Sequence, residues 1–453
     1  MGIRLNTSSS ERLYNEARNF IAGGVNGDIK FRHPYPIFAK HADGAHIWDV
    51  DGNEYIDYVL SYGAIVLGHG HIALKRAIER VLTHSGTTAF GTPNEEELEL
   101  GRMILSLYHP EGKLRLTNSG LEATLLAVRL AMGYTKKRKI AKFDGHYHGA
   151  NPFLLANYRP KRDMKIARDA IEKEPDSLDV SGDILDGIII LEFNNIEQTK
   201  RILDRNRDEI AAIMMEPFED GYIAADEEFL HFIRDYTERH GIILIFDEVK
   251  TGFRVRVGGA SEYYKVRPDI VCLGKIMGGG LPIGGVCGRS DIMDQLDPSR
   301  SDGLKIFHSG TFNGNPLSVG AGIATIKELM KEGVFESLES TASVLRNGID
   351  QVFADFKVPH SMYGVGGIVN FSLGDGIVRT YRDLLKTDFQ LRKRIDSQLL
   401  DNGLFVIGGS RLSVCLSHAR SDVDTTIERL RHSLGEMKTV HGGSGILPNR
   451  HLV

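Results

Sequence analysis

The sequence predicts an α/β protein: a mainly parallel sheet covered by helices, with ligands bound at the carboxyl ends of the strands. Three observations carry this. From residue 114 to residue 274, short apolar runs alternate with segments of helical apolar spacing. Glycines number 50 in 453 residues, above the usual share of about 7%, and they cluster in turns between apolar runs. A chain of this length, 42% hydrophobic, can bury a large core divided over two domains or lobes.

In chain order, residues 10–20 read as an amphipathic helix capped by serines and ended by Gly23 and Gly24. Residues 45–58, AHIWDVDGNEYIDY, read as a hairpin turning at Asp51-Gly52, with Trp48, Ile56 and Tyr58 on its apolar side. Helical spacing covers 71–83 and 95–108. The alternation then runs LRLTN (114–118), a helix to Arg129, KIAKF (139–143), GIIILEF (187–193), AAIMMEP (211–217), a helix over 227–240, IILIFDEV (242–249) and DIVCLG (269–274). After Pro316 a smaller α+β unit is expected: a helix, a strand over 367–373, strands near Phe405 and Leu412, and a last helix over 423–437. The tail 441–453 lacks any period and reads as disordered.

Bulk properties exclude several classes. A formal net charge of −5 with no long basic run argues against a nucleic-acid surface. Apolar runs are short and interrupted by charge, so no membrane span is expected. The N-terminus lacks the apolar segment of a signal peptide, which makes the cytoplasm the expected location. Cys272, Cys287 and Cys415 lie scattered in apolar contexts and read as reduced core residues.

Chemistry is concentrated at strand ends. Lys275 stands between the run 270–273 and Gly278-Gly279-Gly280. A desolvated lysine there loses its proton readily and attacks a carbonyl; a lysine snorkelling to solvent is the plainer alternative. Asp247 ends the apolar run 242–246, and a buried acid needs a partner, either a protonated ring nitrogen or an arginine such as Arg254. Asn118-Ser119-Gly120, between a strand and a helix, offers free backbone N–H groups that suit phosphate, or a plain serine cap. Tyr147 offers a flat ring for stacking, or an ordinary core tyrosine. The pairs His69/His71 and His146/His148 lack acids or cysteines at ligand spacing, so no metal is expected. Neither a Gly-x-x-x-x-Gly-Lys-Ser/Thr nor a Gly-x-Gly-x-x-Gly nucleotide signature follows a strand. A phosphate nest, a flat aromatic, an acid for a pyridine nitrogen and a desolvated lysine together match the needs of pyridoxal 5'-phosphate.

The same residues carry a resemblance. AGGVN (22–26), DGAHIWDVDGNEYIDY (43–58), LGHGH (67–71), TNSGLEAT (117–124), FDGHYHGA (143–150), MEP (215–217), IFDEVKTGFRV (245–255), CLGKIMGGGLPIGG (272–285) and HSGTFNGNP (308–316) stand in the order and spacing of the class III, subgroup II, aminotransferases. The chain is most similar to the glutamate-1-semialdehyde aminomutase-like branch. That resemblance implies the fold-type I architecture: a mainly parallel seven-stranded sheet in a large domain (71–318), with a smaller α+β domain built from both chain ends (part of 1–70, and 319–440). It implies Lys275 as the Schiff-base lysine and proton carrier, and Asp247 as the partner of the pyridine nitrogen. Tyr147 and Val249 would flank the ring, His148 and Glu216 would lie near it, and Ser119, Gly120 and the N–H of Leu121 would hold the phosphate. Thr311 would contribute its hydroxyl from a neighbouring subunit, which implies a homodimer with shared sites. The glycine turn after Lys275 then reads as room beside a bulky ring and the partner subunit.

Departures from the branch pattern bear on the substrate. Leu121 stands where threonine is usual and removes one hydroxyl contact to phosphate. Lys30 stands where the aminomutases have a carboxylate-gripping arginine, and a point charge replaces a planar fork. Tyr62 replaces a tryptophan, and the segment 158–178 does not resemble the mutase gating loop. Arg411, in a strand where other class III enzymes hold the α-carboxylate, becomes a candidate clamp, as do Lys30 and Arg32. The expected activity is ping-pong transfer of an amino group between an amino acid and a keto or aldehyde acceptor. The alternatives are intramolecular transfer as in glutamate-1-semialdehyde 2,1-aminomutase, and racemisation or epimerisation.

Overall fold

A computed structural model describes residues 5–161, 163–219, 221, 223–301 and 303–440, so the tail 441–453 lies outside the described residues. Seven strands form the central sheet in the order Lys113–Thr117, Gly284–Gly288, Ile270–Gly274, Ile243–Asp247, Ile210–Met215, Lys139–Phe143 and Ile188–Leu191. The last five pair in parallel, while Gly284–Gly288 runs antiparallel to both its neighbours. Ile210–Met215 and Ile243–Asp247 are buried along their whole length. Sheets covered on both faces need such unbroken apolar runs, which is why these strands were legible.

Gly284–Gly288 was not. Three of its five residues are glycine, which carries little strand propensity. The glycines are there for closeness: a Cβ on Gly284 would lie 2.2 Å from the Ser119 carbonyl oxygen, and one on Gly288 would lie 2.6 Å from that of Asp269. The glycine turn after Lys275 is closely packed as well. Lys275–Gly278 form a single 3₁₀ turn, closed by Gly279 at φ +60°. Cβ atoms on Gly278, Gly279 and Gly280 would meet Ile283 at 2.5 Å, Leu74 at 2.4 Å and Ile65 at 2.5 Å. The missing Cβ atoms make room for this chain's own packing.

The chain ends meet in a second sheet. Ala39–Asp43, His46–Asp49 and Glu54–Asp57 form an antiparallel meander about a turn at Gly52 (φ +88°), and Leu404–Phe405 adds in parallel to Glu54–Asp57. Ile47 and Tyr55 are buried in it, whereas Trp48 is half-buried beside the rings of His41 and His46. A third sheet, His360–Tyr363, Ile368–Leu373 and Leu412–Ser413, packs with helices Val334–Asp355 and Phe389–Asp401, on which Arg420–Val440 packs in turn. The expected strands near Phe405 and Leu412 therefore belong to different sheets. His360–Tyr363 and the helices at 334–355 and 389–401 were not read from the sequence.

Two helices depart from expectation for physical reasons. The first spans Ser8–Ala17, and its Ser9 and Ser10 N–H groups donate to the Asp51 carboxylate at 2.7 and 3.0 Å. The cap comes from the hairpin turn 41 residues away, not from the serines. The helix expected to stop at Arg129 runs Gly120–Thr135 and ends on Lys136 at φ +60°. No described helix is long and apolar enough to cross a membrane.

Candidate active site

Three segments that leave the carboxyl ends of sheet strands meet at one point. Val249 follows Ile243–Asp247, Gly120 follows Lys113–Thr117, and Gly274 ends the strand before Lys275. A Cβ on Gly120 would lie 2.6 Å from Val249 Cγ1, and one on Gly274 would lie 3.4 Å from both Gly120 Cα and Val249 Cγ1. Lys275 leaves this junction half-buried with φ +48°. That is a strained conformation for a residue with a Cβ. Burial pushes its amine down to about 7, and the Arg411 and Lys250 cations push the same way against Asp247 and Glu216. At neutral pH a large share of the amine is therefore unprotonated, as a nucleophile requires.

Asp247 is buried and does not pair with Arg254. Its Oδ2 accepts from His148 Nδ1 at 2.8 Å and its Oδ1 from the Val249 N–H at 3.1 Å. Arg254 instead donates to three backbone carbonyls. His148 is thus placed behind Asp247 as the group that orients the carboxylate. His146 Nδ1 accepts the Glu216 N–H at 3.0 Å, so a neutral imidazole carries its proton on Nε2. Burial holds that imidazole neutral, far below the usual histidine range.

Glu216 Oε1 pairs with Lys250 Nζ at 2.7 Å, and Oε2 accepts the Tyr147 N–H at 2.8 Å. Glu216 therefore pins the backbone of Tyr147. Tyr147 is not a core tyrosine: its ring is 47% exposed and lies 4.7 Å from that of Tyr158. Lys250 has no place in the sequence reading, and His146 enters it only as a rejected metal ligand. The only signal for Lys250 was a lysine two residues beyond a strand-end acid pair.

Ser119 caps the helix Gly120–Thr135 by accepting the Glu122 N–H at 3.2 Å, and the N–H groups of Gly120 and Leu121 have no partner inside the helix. The Leu121 side chain is 38% exposed. Thr311 is exposed on a turn whose Asn313 accepts from Asn118 Nδ2 of the same chain at 2.8 Å. The histidine pairs serve structure: His69 Nε2 meets Asp57 at 2.9 Å and His71 caps the helix Ile72–His84. No group of three metal-ligating side chains occurs among the described residues.

The candidate carboxylate clamps separate. Arg411 Nη2 donates to the Tyr62 carbonyl at 3.2 Å, and Arg411 also acts on the charge of Lys275. Tyr62 lies in a turn where Leu60, Ser61, Tyr62 and Gly63 all have positive φ, and its hydroxyl donates to the Ile29 carbonyl at 3.2 Å. Arg32 sits over the Phe405 ring at 4.7 Å, with burial lowering its pKa. Lys30 is exposed on the short turn Asp28–Lys30.

An amine poised as free base, an oriented buried carboxylate and a helix N-terminus, gathered at the strand ends of one sheet, define a pyridoxal-phosphate enzyme. The residues fit that group: Gly120 and Val249 form a wall with no space for a Cβ, and Asp247 and Lys275 are an acid and an amine that would partner it. The class-III aminotransferase family matches residues 30–434. Glutamate-1-semialdehyde 2,1-aminomutase of Methanococcus vannielii is 36% identical over 96% of this chain and 98% of its own. The enzyme of that name from Methanococcoides burtonii is 38% identical over 92% of this chain and 97% of its own. An omega-transaminase from Sphaerobacter thermophilus superposes with a TM-score of 0.90 at 30% identity, covering 95% of this chain and 98% of its own. The chain belongs to the class-III aminotransferases and is a pyridoxal-phosphate-dependent enzyme.

Proposed function

We propose that the chain is a ping-pong aminotransferase acting on substrates that carry a carboxylate. The observation that carries this reading is the place of Arg411. Its guanidinium is close enough to Lys275 to disfavour the ammonium form, and it is braced on the Tyr62 carbonyl. A planar fork there suits a carboxylate next to the reacting carbon. Arg32, engaged with Phe405, and Lys30, exposed, are weaker candidates.

Bound pyridoxal phosphate supplies the electron sink for the Cα–H bond that breaks. The chain supplies the rest. Lys275 takes the proton from one carbon and returns it to another in both halves of the cycle. Asp247, held by His148 Nδ1 and the Val249 N–H, presents a fixed negative charge to a ring nitrogen. Tyr147, its backbone tied to Glu216, would cover one ring face and Val249 the other. The N–H groups of Gly120 and Leu121, with Ser119, would hold the phosphate at the positive end of the helix. A second copy of the chain would cover Phe312 and Leu98, both exposed, and bring Thr311 to the partner's phosphate.

Intramolecular transfer is the second reading, because the aminomutases match almost the whole chain at 36% and 38% identity. One screen separates the two. The holoenzyme is mixed with α-, β- and ω-amino acids of both hands, and with glutamate-1-semialdehyde, while the cofactor band is followed. Amino acids that convert the band, and turnover only with a keto or aldehyde acceptor, support the first reading. Isomerisation of glutamate-1-semialdehyde with no acceptor supports the second.

A further inference from the structure

Arg254 is a fully buried guanidinium whose hydrogen-bond partners are all backbone carbonyls: Gly63 at 2.9 Å from Nη2, and Val414 at 3.0 Å and Gly367 at 3.4 Å from Nη1. It therefore joins the loop after Asp247 to the turn at 60–63 and to the residues flanking two strands of the third sheet, Gly367 before Ile368–Leu373 and Val414 after Leu412–Ser413. It is also next to Arg411. Those two cations act on each other, and burial and Arg411 together push Arg254 down to about 9. Among the described residues no carboxylate is paired with Arg254. A buried cation without an acid is costly, and here three carbonyl hydrogen bonds stand in for the acid.

Both guanidiniums brace the same strained turn. Arg411 donates to the Tyr62 carbonyl and Arg254 to the Gly63 carbonyl. The turn itself runs through φ +48°, +51°, +58° and +84° at Leu60, Ser61, Tyr62 and Gly63. Three non-glycine residues in the left-handed region persist only where surroundings over-determine them. Asp57 Oδ1 holds the entry by accepting the N–H groups of Val59 and Leu60 at 2.8 and 2.9 Å. On the far side, the place where Gly63 lacks a Cβ is 3.4 Å from Arg411 Nη2, 3.7 Å from Ser413 Oγ and 3.8 Å from Arg254 Nε. Arg254 Nε is buried and has no hydrogen-bond partner among the described residues. Two guanidiniums and a hydroxyl thus converge where the turn has no side chain.

Resting on the reading of this site as an aminotransferase site, we infer that Arg254 is a positioning residue of the substrate-carboxylate subsite: it locks the 60–63 turn that braces Arg411 and adds a second positive charge behind it. Without Arg254 the Gly63 carbonyl is unheld, the turn relaxes, and Arg411 loses both its brace and the reinforcing charge. A substrate carboxylate held by Arg411 would lie within reach of both positive charges.

The test compares two probes that attack the cofactor of the holoenzyme identically and differ in one carboxylate, aminooxyacetate and O-methylhydroxylamine. Half-saturation of the absorbance change is measured for each. In the wild type aminooxyacetate is expected to act at much lower concentration. In Arg254→Met the ratio of the two half-saturations should fall about tenfold, with O-methylhydroxylamine little changed, and Arg254→Lys should recover part of it. A wild-type ratio that Arg254→Met leaves intact, or equal weakening of both probes, overturns the inference. If Arg254→Met does not fold, Gly63→Ala decides, because it keeps both charges and puts a methyl between them. A lost preference supports the role and a kept one overturns it. Failure of either probe to change the wild-type cofactor would instead overturn the aminotransferase reading.

Discussion

Gly120→Ala sets two physical effects against each other. In the first turn of a helix, alanine is favoured over glycine by up to about 1 kcal/mol, so propensity alone predicts a more stable protein. The new Cβ, however, would stand 2.6 and 2.8 Å from the two methyls of Val249 and 3.3 Å from its Cβ. Carbon atoms pack best at about 3.5–4.0 Å, so Val249 must retreat by roughly 1 Å. Rotation about χ1 gives no escape, since both methyls and the Cβ itself are too close and a β-branched side chain has few alternatives. Overpacking of this kind costs about 1–3 kcal/mol, so the clash wins. Equilibrium urea unfolding of the cofactor-free protein measures the loss, and cofactor titration should show at least tenfold weaker binding because Val249 borders the ring site. Adding Val249→Ala should relieve the clash with a favourable coupling of about 1 kcal/mol or more in a double-mutant cycle. A Gly120→Ala protein as stable as wild type, with no coupling to position 249, would refute the junction described above.

Other consequences follow from the same geometry. Lys275→Ala should leave no cofactor that borohydride fixes to the chain, as read by mass spectrometry; a retained adduct would remove Lys275 from its role. In the wild-type apoprotein, capture of pyridoxal phosphate should speed up about tenfold per pH unit below the Lys275 pKa of about 7 and level off above it. A rise continuing to pH 10 would mean an ordinary lysine. Lys250→Met strips a buried partner from Glu216 and should cost about 3–5 kcal/mol, with part recovered by adding Glu216→Gln; a loss below about 1 kcal/mol in unfolding experiments would contradict the pairing. Burial pushes His109 and His418 down to about 4 and His146 well below 6.5. The unfolded chain then binds more protons below about pH 6.5, and each histidine removes up to about 1.4 kcal/mol of stability per pH unit as the pH falls from 6.5 toward 4. His109→Asn should make that slope shallower by one proton, and an unchanged slope would show that His109 is already accessible to protons.

Lys275 and Asp247 were legible in the sequence because each breaks a local rule: a charged residue ends an apolar run that burial alone would not end that way. Ser119 was legible through strand–serine–helix punctuation. Their supports were not. His148 was seen as a ring neighbour, yet it serves Asp247, 99 residues away. Glu216 and Lys250 form a pair across 34 residues, and no spacing rule connects positions on separate strands. Arg254 was weighed as the partner of Asp247, a sensible match of charge. Its place on three carbonyls follows from how the 60–63 turn and the third sheet close over the loop.

The sequence by itself determined the alternating strands and helices, because a doubly covered sheet demands continuous apolar runs that few other structures produce. It also marked the candidates for the chemistry, because charged side chains at buried strand ends are costly and stand out. Only the tertiary structure decided which groups stand behind them. The Asp51 cap on the first helix, the glycine strand at 284–288 and the Arg254 brace depend on backbone atoms brought together from distant segments. A carbonyl or an N–H is the same in every residue, so nothing in the order of side chains marks which one will be met.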